Sequence, residues 1–117
     1  MAPFSAQTKM TCAMALSQVP IYDKDLTKMA KDYNAQQAKL KKSPKDAKVK
    51  KEYVDNAVKF EQRIYIGANK LKPAVKYRAA LALCREVLKV DPKNEQCRKD
   101  MDQMVAIYKQ MNRPVPQ

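Results

Sequence analysis

The chain of 117 residues contains no histidine, no tryptophan and a single glycine. Each scarcity removes a class of structure or chemistry. One glycine leaves almost no positions for the positive φ of tight hairpins or for phosphate-cradling loops, which disfavours an all-β fold, a P-loop and a Rossmann fingerprint. Helices are the remaining default. Without histidine the usual general base and the commonest metal ligand are missing, so Ser-His and Cys-His nucleophilic sites within this chain are excluded. No apolar run approaches the roughly 18 residues of a membrane span, and no transmembrane segment is expected. The beginning, MAPFSAQTK, lacks the basic region and long apolar stretch of an intact signal peptide, as would a chain whose signal had been removed. Localisation stays open, with the cytoplasm placed ahead of secretion or a periplasm.

Cys12, Cys84 and Cys97 fit neither the even count of a disulfide scaffold nor a zinc-ligand spacing. They read first as small apolar packing residues. The sharper reading is a Cys84–Cys97 bridge across neighbouring helices, which leaves an odd thiol. No metal and no cofactor is implied.

What the chain has in quantity is positive charge: 24 Lys and Arg against 12 Asp and Glu, a formal +12. With 45% apolar and 31% charged residues it has the composition of a folded protein. Its negative mean hydropathy points to a thin core of helical layers. Breaks near Pro20, Ser43-Pro44, Pro73 and Asp91-Pro92 divide it into five segments of helical length. The first, Ser5 to Ser17, sets Ala6, Met10, Ala13 and Met14 at helical spacing. From Asp23 to Lys42 the stripe Leu26, Met29, Ala30, Tyr33 and Leu40 marks an amphipathic helix. The longest, Asp46 to Leu71, places Tyr53, Ala57, Phe60, Ile64, Gly67 and Leu71 on one seam. Ala74 to Val90 follows, with Tyr77, Ala80, Leu81, Cys84, Val87 and Leu88 on one side and Pro73 suited to its first turn. Asn94 to Met111 carries Cys97, Met101, Met104, Val105, Tyr108 and Met111, and Pro114 and Pro116 close the chain with a short tail. Short connections make consecutive helices antiparallel neighbours.

The stretch KYRAALALCREVLKVDPKN, Lys76 to Asn94, resembles the second helix and terminal turn of a tetratricopeptide repeat. Ala80 stands at the repeat's Ala, Cys84 at its Phe and Pro92 at its Pro. Backward along the chain, Ile64 stands at the Trp, Gly67-Ala68 at the Leu-Gly and Leu71 at the Tyr. One unit, residues 61 to 94, is covered, and residues 95 to 112 match the first helix of a following unit or a capping helix. The expected architecture is all-α: antiparallel hairpins stacked as a short α-solenoid of about five helices. A single domain, 1 to 117, then holds an N-terminal segment (1–22) with a weak helix, an irregular basic hairpin (23–60), the repeat-like unit (61–94), a terminal helix (95–112) and a proline-containing tail (113–117).

The resemblance implies a non-enzymatic interaction or scaffold module that takes a peptide or partner protein along a concave face. In this register the face carries Gln62, Tyr65, Asn69 and Lys72, then Gln96, Lys99, Gln103 and Ala106, and its lysines suit an acidic or extended segment. The family's carboxylate clamp does not carry over, because Tyr65 stands at its Lys and Asp100 where a further basic residue belongs. A second reading rests on Lys39, Lys41, Lys42, Lys45, Lys48, Lys50 and Lys51, gathered around one turn that holds Asp46 as its sole acid. Such a patch binds nucleic acid or anionic surfaces nonspecifically, or is a solvated basic hairpin; five arginines in all and no aromatic between Lys39 and Lys51 argue against specific nucleic-acid recognition. A truncated or engineered repeat scaffold without its own ligand is the third alternative. Glu52 and Asp55 share a helix face but not a pocket, so no catalytic pair is assigned. Tyr53, Tyr65, Tyr77 and Tyr108 read as core. Self-association is also open, because the methionines of the last helix need a cover.

Overall fold

Thr11, Asp46 and Asn94 each stand one residue before a helix and turn a side-chain oxygen back onto its free amides. Thr11 Oγ1 accepts from the Met14 amide at 3.1 Å, Asp46 Oδ1 from Lys48 and Val49, and Asn94 Oδ1 from Cys97 at 3.0 Å. Helix starts are fixed this way because the first amides of a helix have no partner within it. A computed structural model describes residues 10–21, 24–67 and 70–117. Among them it contains five α-helices, α1 Cys12–Gln18, α2 Lys24–Lys42, α3 Ala47–Gln62, α4 Pro73–Val90 and α5 Glu95–Gln110, and no strand. The chain is all-α, and none of these helices is long and apolar enough to cross a membrane.

With so little glycine, other residues stop the helices. Asn112 takes the left-handed position after α5, φ 54°, while the Arg113 amide donates to Tyr108 O at 2.9 Å and the Asn112 amide to Lys109 O at 3.1 Å. That paired bonding is a Schellman end with asparagine in the glycine place. Asp91 ends α4 ahead of Pro92, and Pro73 opens it at a position whose missing amide has no acceptor to lose.

α4 is the centre. Ala79, Ala80, Leu81, Ala82, Leu83 and Cys84 are all buried, with Val75 and Val87 at either end. A helix enclosed nearly all round must touch neighbours on several sides, and α4 packs against α1, α3 and α5. The alanines let those helices come close, while fully burying a Leu or Val contributes about 1.5–3 kcal/mol each. α2 and α3 form an antiparallel hairpin whose core is aromatic: Tyr33 lies 5.6 Å from Tyr53 and 5.9 Å from Phe60, ring centre to ring centre, and the two hydroxyls meet at 3.1 Å. The tail returns to α1, where Gln117 O accepts from the Cys12 amide and Pro116 O from Arg85 of α4 at 2.6 Å.

Four expectations are corrected. Residues 5–9 lie outside the described residues, and α1 begins at Cys12. It buries Cys12 and Ala15, with Val19 of the following 3₁₀ turn, rather than Ala13 and Met14, which are exposed. The helix is so short that its face is set by what meets α4 and the returning tail. The long third helix does not reach Leu71: a five-residue π-helical turn, Arg63–Gly67, ends it, and the Arg63 guanidinium caps the Gly67 carbonyl at 2.6 Å. Leu71 is buried from the connection that follows. Gly67 is exposed and faces the Arg63 side chain instead of a packed helix, so it is not a close-packing residue of the seam. The methionines of the last helix are mostly covered: Met104 is fully buried and Met101 partly so, leaving Met111 exposed.

The packing around α4 makes Ala80→Leu an overfilling substitution. It is expected to cost about 1–3 kcal/mol and lower the thermal midpoint; an unchanged midpoint contradicts the close approach at Ala80.

Candidate functional site

Two hydrogen bonds tie the end of α3 to α5. Gln62 Nε2 donates to Asp100 Oδ2, and the Tyr65 hydroxyl donates to Gln103 Oε1 at 2.9 Å. Both join residues 38 apart. A constant offset means that the two segments run in the same direction side by side, with α4 between them in the chain. Tyr65 also meets Tyr77 of α4 edge to face, ring centres 6.1 Å apart.

The residues expected on the partner-binding face therefore divide. Gln62, Tyr65 and Gln103 are brought together and bond across the seam, Gln62 and Tyr65 half-buried and Gln103 exposed. Gln96 is also drawn in, donating to Asp100 Oδ1 at 3.1 Å. Lys72, Lys99 and Ala106 are exposed, and Asn69 lies outside the described residues.

Beneath this seam lie two acids that the sequence reading passed over as functional groups. Glu61 is fully buried and Asp100 is 3% exposed. Gln62 Nε2 serves both carboxyls, reaching Glu61 Oε1 at 2.8 Å as well as Asp100. No hydrogen-bond partner reaches Glu61 Oε2. Burial first, then the neighbouring Asp100, pushes the Glu61 carboxyl up to about 9. Cys84 and Cys97 complete the cluster as free thiols rather than a bridge. The hydrogen bond between them raises Cys84, with burial adding to the rise, and lowers Cys97. A carboxylate oxygen of Glu61 and the two sulfurs lie within 4.8 Å of one another.

The signal for the two acids was in the periodicity. Glu61 sits at Ala57, Phe60, Glu61, Ile64, and Asp100 at Cys97, Asp100, Met101, Met104, each in the three-four spacing of an inward face. An acid in such a place is either mis-set or partnered.

The basic hairpin is elsewhere, at the α2–α3 turn. Lys39, Lys41 and Lys42 occupy the last turn of α2, where positive charge complements the helix dipole. Lys48, Lys50 and Lys51 stand at the start of α3, the end that disfavours cations, and Lys45 lies in the turn. All but the half-buried Lys50 are exposed, and Lys51 pairs with Asp55 at 3.7 Å. A separate cavity of about 660 Å³ opens between α1, α2 and α4, lined among others by Tyr33, Asn34, Arg85 and Glu86.

Compared with protein-family models, with curated proteins and with solved structures, the chain finds no match in any of the three.

The Glu61 proton links folding to pH in the metal-free, reduced protein. A carboxyl that titrates at 4.5 when unfolded and near 9 when folded holds a proton that unfolding releases. Stability is then full below pH about 4.5 and is lost as pH rises towards about 9. Facing Glu61 are Asp100 and Cys97 of α5, Cys84 of α4 and its neighbour Gln62. With chelator and reductant present, the denaturant midpoint of the wild type is expected to fall across this window and that of Glu61→Gln to stay flatter. Equal slopes contradict the buried, protonated Glu61.

Proposed function

We propose that the chain is a non-enzymatic interaction or scaffold module of the tetratricopeptide-repeat kind, taking an extended acidic segment of a partner protein on the face shared by α3 and α5. The observation that carries this reading is the constant 38-residue offset of the Gln62–Asp100 and Tyr65–Gln103 pairs. Side-by-side segments running in one direction are what stacked repeat units present to a ligand; of the unit's first-helix span, residues 61–67 are helical, in the end of α3 and its π-helical turn. The offset exceeds the repeat's own period of about 34 by roughly one helical turn. Ala80 and Cys84, at the repeat's small and large anchors, are both fully buried, and Pro92 follows the end of α4. For the ligand, the seam offers the Tyr65 hydroxyl and Gln103, and the exposed Lys72 and Lys99 are the cations assigned to the face by the repeat register. The non-enzymatic part rests on the absence of histidine and on the full burial of Glu61, out of reach of a substrate.

One observation favours the second reading, anion binding by the hairpin. Lys48 and Lys50 sit in the first turn of α3, where a helix start makes cations unfavourable by about 0.3–1 kcal/mol each, so helix stability does not account for them.

Charge reversal separates the two. Wild type, Lys72→Glu/Lys99→Glu and Lys41→Glu/Lys48→Glu are immobilised and challenged with the same cell extract at about 50 mM and about 200 mM salt. The interaction reading expects one stoichiometric protein at both salt concentrations, retained by the hairpin variant and reduced at least about tenfold by the face variant, a loss of about 1.4 kcal/mol. Capture that follows the hairpin lysines and disappears at the higher salt contradicts it and selects the anion reading.

A further inference from the structure

Three side chains that the interaction face does not use converge in the interior. Glu61 comes from the last turn of α3, Cys84 from the middle of α4 and Cys97 from the first turn of α5, and all three are fully buried. One oxygen and two sulfurs lie within 4.8 Å of one another. We propose that Glu61, Cys84 and Cys97 form a buried binding site for a thiophilic divalent cation of the zinc class.

The donor set selects the ion. Two thiolates disfavour calcium and magnesium, which take oxygen ligands, and a carboxylate beside two sulfurs suits zinc. Zinc–sulfur bonds of about 2.3 Å and zinc–oxygen bonds of about 2.0–2.2 Å hold tetrahedral donors about 3.5–3.8 Å apart. From a spacing within 4.8 Å, the three atoms need contract by at most about 1.0–1.3 Å to reach that geometry. Three protein ligands leave the fourth position to water.

The surroundings of Glu61 point the same way. Its Oε1 is held by Gln62 Nε2 at 2.8 Å, while Oε2, fully buried, has no hydrogen-bond partner. A carboxylate with one oxygen fixed and the other orphaned is oriented as a metal ligand is by its supporting shell. The support continues outward, since Gln62 also holds Asp100 and Gln96 bonds the other Asp100 oxygen. Because the three ligands come from three helices, the cation would clamp α3, α4 and α5 at their common contact. Binding exchanges protons for metal: two thiols and the Glu61 carboxyl release three protons as the cation takes the three donors, and nothing is oxidised. A Cys84–Cys97 disulfide would consume both sulfurs, so site and bridge exclude each other.

Cobalt(II) and zinc(II) are the probes, used on the full chain with all cysteines reduced. Cobalt titration is expected to give one equivalent of tetrahedral cobalt with a thiolate-to-cobalt charge-transfer band, displaced by one equivalent of zinc. Cys84→Ser and Cys97→Ser should each lose about half of that band and bind at least about tenfold more weakly. Glu61→Gln keeps the band and weakens binding by about ten- to a hundredfold. Cys12→Ser, which alters the buried cysteine of α1 held by Arg85, leaves both unchanged. Absence of the charge-transfer band in reduced wild type overturns the site, as does equal loss in Cys12→Ser. Should a cysteine variant fail to fold, the wild type decides: a thermal midpoint that rises with free zinc supports the site, and one unmoved by zinc overturns it.

Discussion

α4 has to be buried on three sides at once, and the rest of the molecule is arranged to satisfy it. A helix whose residues Ala79 to Cys84 are all inside cannot rest on one neighbour. Its alanines set how near α1, α3 and α5 approach, and its leucines and valines supply the apolar area that rewards the approach. The α2–α3 hairpin, the short α1 and the returning tail are different means of keeping water from one element. Arg85 of α4 holds Cys12 Sγ and Pro116 O together, so both chain segments that cover this side are fastened to the helix they cover.

The polar interior follows from that enclosure. With α3 and α5 drawn to the same helix, Glu61 and Asp100 meet where water is excluded, and burial there favours the protonated Glu61 carboxyl. Gln62 is the hinge of the arrangement, since one amide group donates to both acids. The outer edge of the same seam, Tyr65 with Gln103, remains at the surface. A buried acid–thiol cluster and an exposed polar face are therefore the two sides of one contact between parallel segments.

Periodicity carried most of the fold. The α2 stripe Leu26, Ala30, Tyr33 and the α3 seam Tyr53, Ala57, Phe60, Ile64 are buried as their spacing requires, and Asp46, Pro73 and Asn94 sit at the helix starts. α1 was misread because seven residues hold too few turns to define a face by themselves. The end of α3 was misread because Gly67 and Leu71 continue the three-four spacing after the backbone has left the α-helix, and spacing does not register a π-helical turn. For the site, Gln62, Tyr65 and Gln103 were legible as one face. Glu61 and Asp100 were not picked out because acids are ordinarily solvated. The Cys84–Cys97 contact was legible as a pairing, but its third member is 23 residues upstream of Cys84 on another helix, where linear ligand motifs do not look.

If α4 is the element on which the others depend, it should be the last to open. Native-state amide hydrogen exchange tests this directly. Amides from Leu81 to Val87 are expected to exchange through global unfolding alone, with those of α1 and of the α2–α3 turn exchanging through smaller openings. α4 amides that exchange as fast as those of α1, under conditions where the protein stays folded, would contradict the account.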